Sequence, residues 1–279
     1  MHKSVRDILE KMQAGTKISV ITAYDYTMTS LCDKAGIDIL LVGDSAGMVM
    51  LGYENTIPVT MDQMVLFTEA VSRARQNALI VSDLPFMSYQ ASIGDAIANS
   101  GRLVKAGADA VKLEGGKAMS GTIRAIVETG IPVMGHIGFQ PQTTTLAQGY
   151  KVQGRTKDAA VRLIEDAKAL EEAGVFSIAL EMVTDEVSKI ISETVSIPTI
   201  GIGSGKYCDG QVLVVHDILG MYDKLKPKFV KQYLSLSDQI TKAVSNYRTD
   251  VESGKFPAKE NWFSMDKSEL ERLRKEIGK

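Results

Sequence analysis

Apolar residues fall at Val5, Ile8, Leu9 and Met12 behind Ser4, a helical stripe with a side chain suited to cap its start and Gly15 to end it. This spacing predicts a leading amphipathic helix. Beyond it the pattern changes to short aliphatic and β-branched runs, each followed by a Gly-rich or polar turn and then by a longer stretch of helical spacing. Eight runs are predicted as strands, at 18–22, 38–42, 79–83, 109–114, 132–137, 176–181, 198–202 and 211–215. Their near-continuous hydrophobicity is that of parallel strands covered on both faces by crossover helices. An internal repeat supports this. KAGIDILLVGD, KAGADAVKLEG and EEAGVFSIALE each place a glycine between a helix end and a strand, with Gly36, Gly107 and Gly174 separated by 71 and 67 residues. Two βα units fit each period. Pro132 and Pro198 open strands 66 residues apart, where a proline needs no ladder hydrogen bond. The expected fold is α/β, a (β/α)8 TIM barrel with an N-terminal helix and a C-terminal extension. A doubly wound open sheet is the alternative, because pattern alone does not fix closure.

The 279 residues suit one such barrel, and 44% hydrophobic against 24% charged residues allows a large core. From about Asn246 the chain turns polar and charged, ending in a helix with Leu270, Leu273 and Ile277 on one face. The expected organisation is a single catalytic domain over 1–263, including the N-terminal helix, and a charged helical tail over 264–279. The tail reads as a solvated appendage or an oligomer contact. Lys plus Arg number 32 against 34 Asp plus Glu, so a net charge of -2 offers nucleic acid or an anionic membrane no general attraction. Two cysteines, Cys32 and Cys208, are too few for a disulfide framework or a four-ligand zinc site. The first fifteen residues lack the apolar core of a signal peptide, and no apolar run reaches membrane-spanning length. Small-molecule substrates, no nucleic acid, no membrane and a cytoplasmic location are the resulting expectations.

In a (β/α)8 barrel the chemistry belongs at the carboxyl ends of the strands. The polar residues there are Asp44 and Ser45, Asp83, Lys112 and Glu114, His136, Glu181, and His216 with Asp217. Carboxylates from neighbouring strands meeting at one mouth repel each other unless a cation lies between them, which points to a metal site. Oxygen donors without thiolates suit Mg²⁺ or another hard divalent ion. Asp44 and Asp83 are the candidate direct ligands, with Glu114 completing the shell directly or through water. Lys112, two residues from Glu114 on the same strand face, is placed to meet an anionic substrate. Each aspartate taken singly also reads as a turn or helix cap. Glu181 ends the apolar run FSIALE, where partial burial suits a general base near neutral pH; a salt bridge is its other reading. His136 is a further candidate, as metal ligand, substrate donor or core histidine. The GIGSG run at 201–205 follows the seventh strand, the usual place of a barrel's phosphate loop, but matches neither a P-loop nor a dinucleotide fingerprint. Cys208 reads as a structural or merely accessible thiol rather than a reactive one.

Several longer pieces resemble the ketopantoate hydroxymethyltransferase family. They are ITAYDY at 21–26, LLVGDSAGMVMLGYENTIPVTMD at 40–62, DLPFMSY at 83–89, AGADAVKLEGG at 107–116, PVMGHIGFQPQ at 132–142, GYKVQGR at 149–155, IPTIGIGSG at 197–205 and CDGQVLVVHDILG at 208–220. The resemblance implies a (β/α)8 barrel assembled into large homo-oligomers, commonly decamers, and Mg²⁺-dependent one-carbon transfer from 5,10-methylenetetrahydrofolate to 3-methyl-2-oxobutanoate. It implies Asp44 and Asp83 as metal-binding aspartates that also meet substrate, Glu114 as a third metal-associated carboxylate, Ser45 and Lys112 as keto-acid contacts, and Glu181 as proton acceptor. Two places depart from the family pattern: Phe67 stands where many members carry a histidine, and Asn261, Trp262 and Phe263 replace a His-Ser-aromatic element. The competing readings are a Mg²⁺-dependent α-keto-acid lyase or mutase of the phosphoenolpyruvate mutase type, and a non-catalytic metabolite-binding barrel.

Overall fold

A computed structural model of the chain describes residues 2–143, 151–222 and 227–279; Gly149 and Tyr150 of the GYKVQGR piece lie outside them. Helix α1 (Val5–Gln13) starts at Ser4 in a capping box with Asp7, as its spacing predicts. Eight parallel strands follow: β1 (Ile18–Thr22), β2 (Ile39–Val42), β3 (Leu79–Asp83), β4 (Ala110–Glu114), β5 (Val133–Gly138), β6 (Ser177–Glu181), β7 (Thr199–Ile202) and β8 (Gly210–Leu213). Each pairs with the next and β8 pairs with β1, so the sheet closes into a barrel and the open-sheet alternative falls. Helices α2 (Tyr26–Lys34), the single turn α3 (Ala46–Val49), α4 (Met61–Ala74), α5 (Ile93–Lys105), α6 (Ser120–Glu128), α7 (Lys157–Glu172) and α8 (Asp185–Thr194) make the crossovers among the described residues.

The period of two along each strand sorts side chains to the two faces of the barrel wall. Val20, Ile39, Leu41, Leu79, Val81, Ala110, Met134, Ala179, Ile200 and Val212 form one buried cluster inside the barrel, closed below by Ile8 of α1. The alternate residues, among them Leu40, Ile80, Val111, Leu113, Ile178 and Leu180, form a second cluster against the surrounding helices. The eighth predicted strand is shorter than expected. It ends at Leu213, and Val215 instead opens the single-turn helix α9 (Val215–Ile218), because its N–H donates to Thr22 Oγ1 at 3.0 Å rather than continuing a ladder.

The sequence repeat has a physical counterpart at the foot of the barrel. Asp38 before β2 accepts from the N–H of Ser19 in β1, Asp109 before β4 from Ile80 in β3, and Asp209 before β8 from Thr199 in β7. Each carboxylate thus ties the start of an even strand to the preceding odd one; at the matching place before β6 stands Phe176.

The chain divides into two compact units, Met1–Tyr233 and Leu234–Lys279. The second contains α10 (Leu236–Glu252), a 3-10 turn at Lys259–Asn261 and α11 (Lys267–Glu276). The sequence boundary drawn between 263 and 264 falls inside this unit, and α10 runs through Asn246, where composition changes. Among the described residues no helix is long and apolar enough to cross a membrane.

Candidate active site

The inward face that fills the barrel carries chemistry at its upper end. Along β3 the inward Leu79 and Val81 lead to Asp83, along β4 Ala110 leads to Lys112 and Glu114, along β5 Met134 leads to His136, and along β6 Ala179 leads to Glu181. Asp44 and Ser45 follow β2 in the turn that opens α3. All seven line one cavity of about 170 Å³ at the C-terminal mouth.

Strand register decides who meets whom. Asp83 and Lys112 are partners across β3 and β4, and Lys112 Nζ lies 2.9 Å from Asp83 Oδ1 as an ion pair. The Asp44 N–H donates to Asp83 Oδ2 at 3.2 Å, bringing the first two acids together. Glu114 and His136 are partners across β4 and β5, with Nδ1 3.8 Å from Glu114 Oε1. On its other side His136 Nε2 lies 3.2 Å from Glu181 Oε2. Neither ring nitrogen makes a hydrogen bond among the described residues, although both are buried. The imidazole thus stands between two carboxylates within ion-pair range without a well-directed hydrogen bond to either. Gly138 shapes the Glu181 end. At φ +98° its missing side chain lets β5 approach so closely that a Cβ would stand 2.2 Å from the Glu181 carbonyl oxygen.

The electrostatics show an acidic site short of positive charge. Burial and the neighbouring Asp83 push the Asp44 carboxyl well above its usual range, against the opposing pull of Lys112 and Gln142. Burial and the charge of Asp44 push Glu114 up likewise. For Lys112, burial disfavours the ammonium, yet Asp83, Asp44 and Glu114 outweigh it and hold its pKa above the ordinary lysine value. Among the described residues, no three His, Cys, Asp or Glu side chains converge into a ready ligand shell. Asp44 and Glu114, whose ionised forms are disfavoured by burial and by neighbouring negative charge, nonetheless fit a hard divalent ion. Such an ion relieves that repulsion and takes its remaining oxygens from water and substrate.

The other sequence candidates separate. Asp217 lines the cavity, and burial raises its carboxyl to about 6. His216 is not among the lining residues and packs its ring against Tyr24 at 5.7 Å. Phe67 meets the same tyrosine edge-on at 6.3 Å, so it belongs to the packing behind Ser45. Cys32 and Cys208 are both buried and free, and burial pushes both thiols up, away from the reactive thiolate. The GIGSG run holds the end of β6 in place: Ser204 Oγ donates to the Leu180 carbonyl at 2.7 Å and accepts from the Val183 N–H at 3.0 Å. Gly203, Ser204 and Gly205 also line a second, larger cavity of about 780 Å³ that shares Glu181 with the first.

Three residues at the site escape a reading based on charge and strand ends. Tyr24 shares a hydrogen bond with Ser45 Oγ at 2.8 Å, while Tyr89 and Gln142 bond to each other at 2.8 Å between the acids. Each lies inside a conspicuous motif, in ITAYDY, DLPFMSY and GHIGFQPQ, which is the only signal the sequence offers for them.

Residues 2–259 match the model of the ketopantoate hydroxymethyltransferase family. The chain is 75% identical over 278 residues to the 3-methyl-2-oxobutanoate hydroxymethyltransferase of Nitrosopumilus maritimus, covering all of both chains. It is 59% identical to the protein of that name from Cenarchaeum symbiosum, over 94% of this chain and 99% of the relative. Among solved structures it is similar to phosphonopyruvate hydrolase in complex with oxalate and Mg²⁺, with a TM-score of 0.61, 11% identity and 99% coverage of each chain. That likeness shows the fold alone.

Proposed function

The chain belongs to the ketopantoate hydroxymethyltransferase family and is a transferase, and from that premise we propose that it moves a one-carbon unit from 5,10-methylenetetrahydrofolate to 3-methyl-2-oxobutanoate, giving 2-dehydropantoate. The observation that carries this reading is the sharing of one small cavity by two kinds of acid. Asp44, Asp83 and Lys112 form a tight charged group, while Glu181 stands beside His136 on the opposite wall.

Bound at Asp44 and Asp83, with Glu114 direct or through water, Mg²⁺ would supply Lewis acidity to the keto oxygen and so acidify the C3–H bond. Lys112 balances the negative charge of the keto acid. Ser45, held by Tyr24, orients the substrate carboxylate. Glu181 takes the C3 proton, and His136 at 3.2 Å steadies the acid–base pair from the side. Water adds to the methylene carbon of the folate donor as both of its C–N bonds break, its protons passing to the two nitrogens to give tetrahydrofolate and formaldehyde; the electron pair left at C3 bonds to the formaldehyde carbon, whose oxygen takes up the proton held by Glu181 to give 2-dehydropantoate. The larger cavity, which shares Glu181 with the first and is walled by Met182, Gln211 and Phe229, is the space offered to a donor too large for the first. A lyase or mutase of the phosphoenolpyruvate mutase type would call for a reactive loop residue, commonly in a Cys-containing motif, and both cysteines here are buried. A binding module has no use for a second carboxylate set apart as base.

Assembly into a homodecamer and a cytoplasmic setting complete the proposal. The reaction is tested by incubating the protein with both substrates and Mg²⁺ and identifying the product by mass spectrometry. Formation of 2-dehydropantoate that stops on chelation supports the reading; absence of product from folded, metal-supplied protein overturns it.

A further inference from the structure

Gln142 sits in the turn after β5, almost wholly buried, and no step of the reaction uses it. Its amide nitrogen donates to Asp44 Oδ2 at 2.8 Å and to the Leu84 carbonyl at 2.9 Å. Its amide oxygen accepts from the Tyr89 hydroxyl at 2.8 Å. Its backbone N–H donates to the Glu114 carboxylate, 3.1 Å from Oε2. Both groups facing the nitrogen are acceptors, and the groups facing the oxygen, the Tyr89 hydroxyl and at 3.5 Å the Gln90 amide nitrogen, have protons to give, so the amide has one orientation. Tyr89 is fixed in turn, its hydroxyl lying 3.2 Å from both the N–H and the carbonyl of Glu114.

One residue therefore holds two acids, by its side chain and by its backbone. It also ties the turns after β2, β3 and β5 to the end of β4. The chemistry of the donor matters here. A lysine or arginine in this place would stabilise the carboxylates by neutralising them, and would compete with a cation for the same oxygens. A neutral amide and a peptide N–H stabilise and orient the negative charge without supplying a positive one. The amide also occupies only one of the two Asp44 oxygens.

We infer that Gln142 is a positioning residue that sets the divalent-ion affinity of the site by holding Asp44 and Glu114 in one fixed arrangement, with Tyr89 holding the amide. The inference rests on the metal reading proposed above and adds to it the residue that prepares the ligands. Groups that orient metal ligands in this way are worth about 10- to 100-fold in affinity.

The test titrates Mn²⁺ into the full chain without keto acid and follows free Mn²⁺ by electron paramagnetic resonance, comparing wild type with Gln142→Met and Tyr89→Phe. Gln142→Met keeps the volume and removes the amide's hydrogen bonds to Asp44, Leu84 and Tyr89; its Mn²⁺ affinity is expected to fall about 10- to 100-fold. Tyr89→Phe leaves the amide but frees its orientation, and is expected to weaken binding in the same direction by a smaller factor. In turnover assays the Mg²⁺ concentration for half-activation should rise in step with the Mn²⁺ affinity loss, while KM for the keto acid at saturating metal changes little. A folded Gln142→Met protein that binds Mn²⁺ within twofold of wild type overturns the inference. Should that variant fail to fold, an unchanged affinity in Tyr89→Phe does the same. Wild type that binds no Mn²⁺ is a distinct result, which removes the metal reading itself.

Discussion

Glu181 is separated from the other acids by the imidazole of His136, and that separation gives it a chemical task the aspartates lack. Gly138 protects its placement. In a Gly138→Ala variant the new methyl would stand against the Glu181 carbonyl in a backbone conformation that L side chains rarely adopt. It should cost about 1–3 kcal/mol of stability and lower turnover more than substrate affinity, read from thermal melts beside steady-state kinetics. A fully active, equally stable variant would show that the close approach of β5 and β6 does not matter. At this scale the sequence was readable where a residue is charged and lies on the inward parity of a strand, as Asp83, Lys112, Glu114 and Glu181 do. Gln142 and Tyr89 were not readable in the same way. Their roles arise from partners 98 and 53 positions away, and neither an amide nor a phenol carries a charge signature that marks it out.

The joints between elements carry the stability of the barrel's lower rim. Asp38, nearly buried, receives Lys3 at 2.9 Å and Lys11 of α1 at 2.6 Å as well as the N–H and hydroxyl of Ser19, both at 2.8 Å. Burial opposes its charge, but these four partners win and hold the carboxyl at about 2, below its ordinary 3.8. A carboxyl depressed on folding stabilises the protein above the unfolded value, and the contribution is lost as pH falls from 3.8 toward about 2. The size is on the order of 2 kcal/mol. Asp38→Asn should therefore lower stability by about that amount at neutral pH, and the gap to wild type should close below pH 3 in denaturant titrations. A gap of constant size across that range would contradict the assignment. Strand positions at this scale were legible from apolar runs bounded by Gly and Pro. The end of β8 was not, because VLVV continues the strand pattern while Thr22, on the first strand, captures the Val215 N–H.

The whole molecule joins a closed barrel, Met1–Tyr233, and a second helical unit, Leu234–Lys279. The polar composition that begins near Asn246 starts inside α10, whose apolar positions Leu236, Ile240, Val244, Tyr247 and Val251 recur through its whole length, so composition does not mark the start of this unit. The proposed decamer predicts a sedimentation mass ten times the 30.3 kDa of the chain at micromolar concentration, and a monomer would contradict it. The central claim, that the mouth of the barrel enolises a keto acid with Glu181 as base, is tested most directly by proton NMR of 3-methyl-2-oxobutanoate in deuterated water. With wild type and Mg²⁺ the C3 proton signal should disappear without any folate, and with Glu181→Gln it should persist although Mg²⁺-dependent binding of the keto acid remains. Undiminished C3 exchange in the Glu181→Gln protein, or none in metal-supplied wild type, would contradict it.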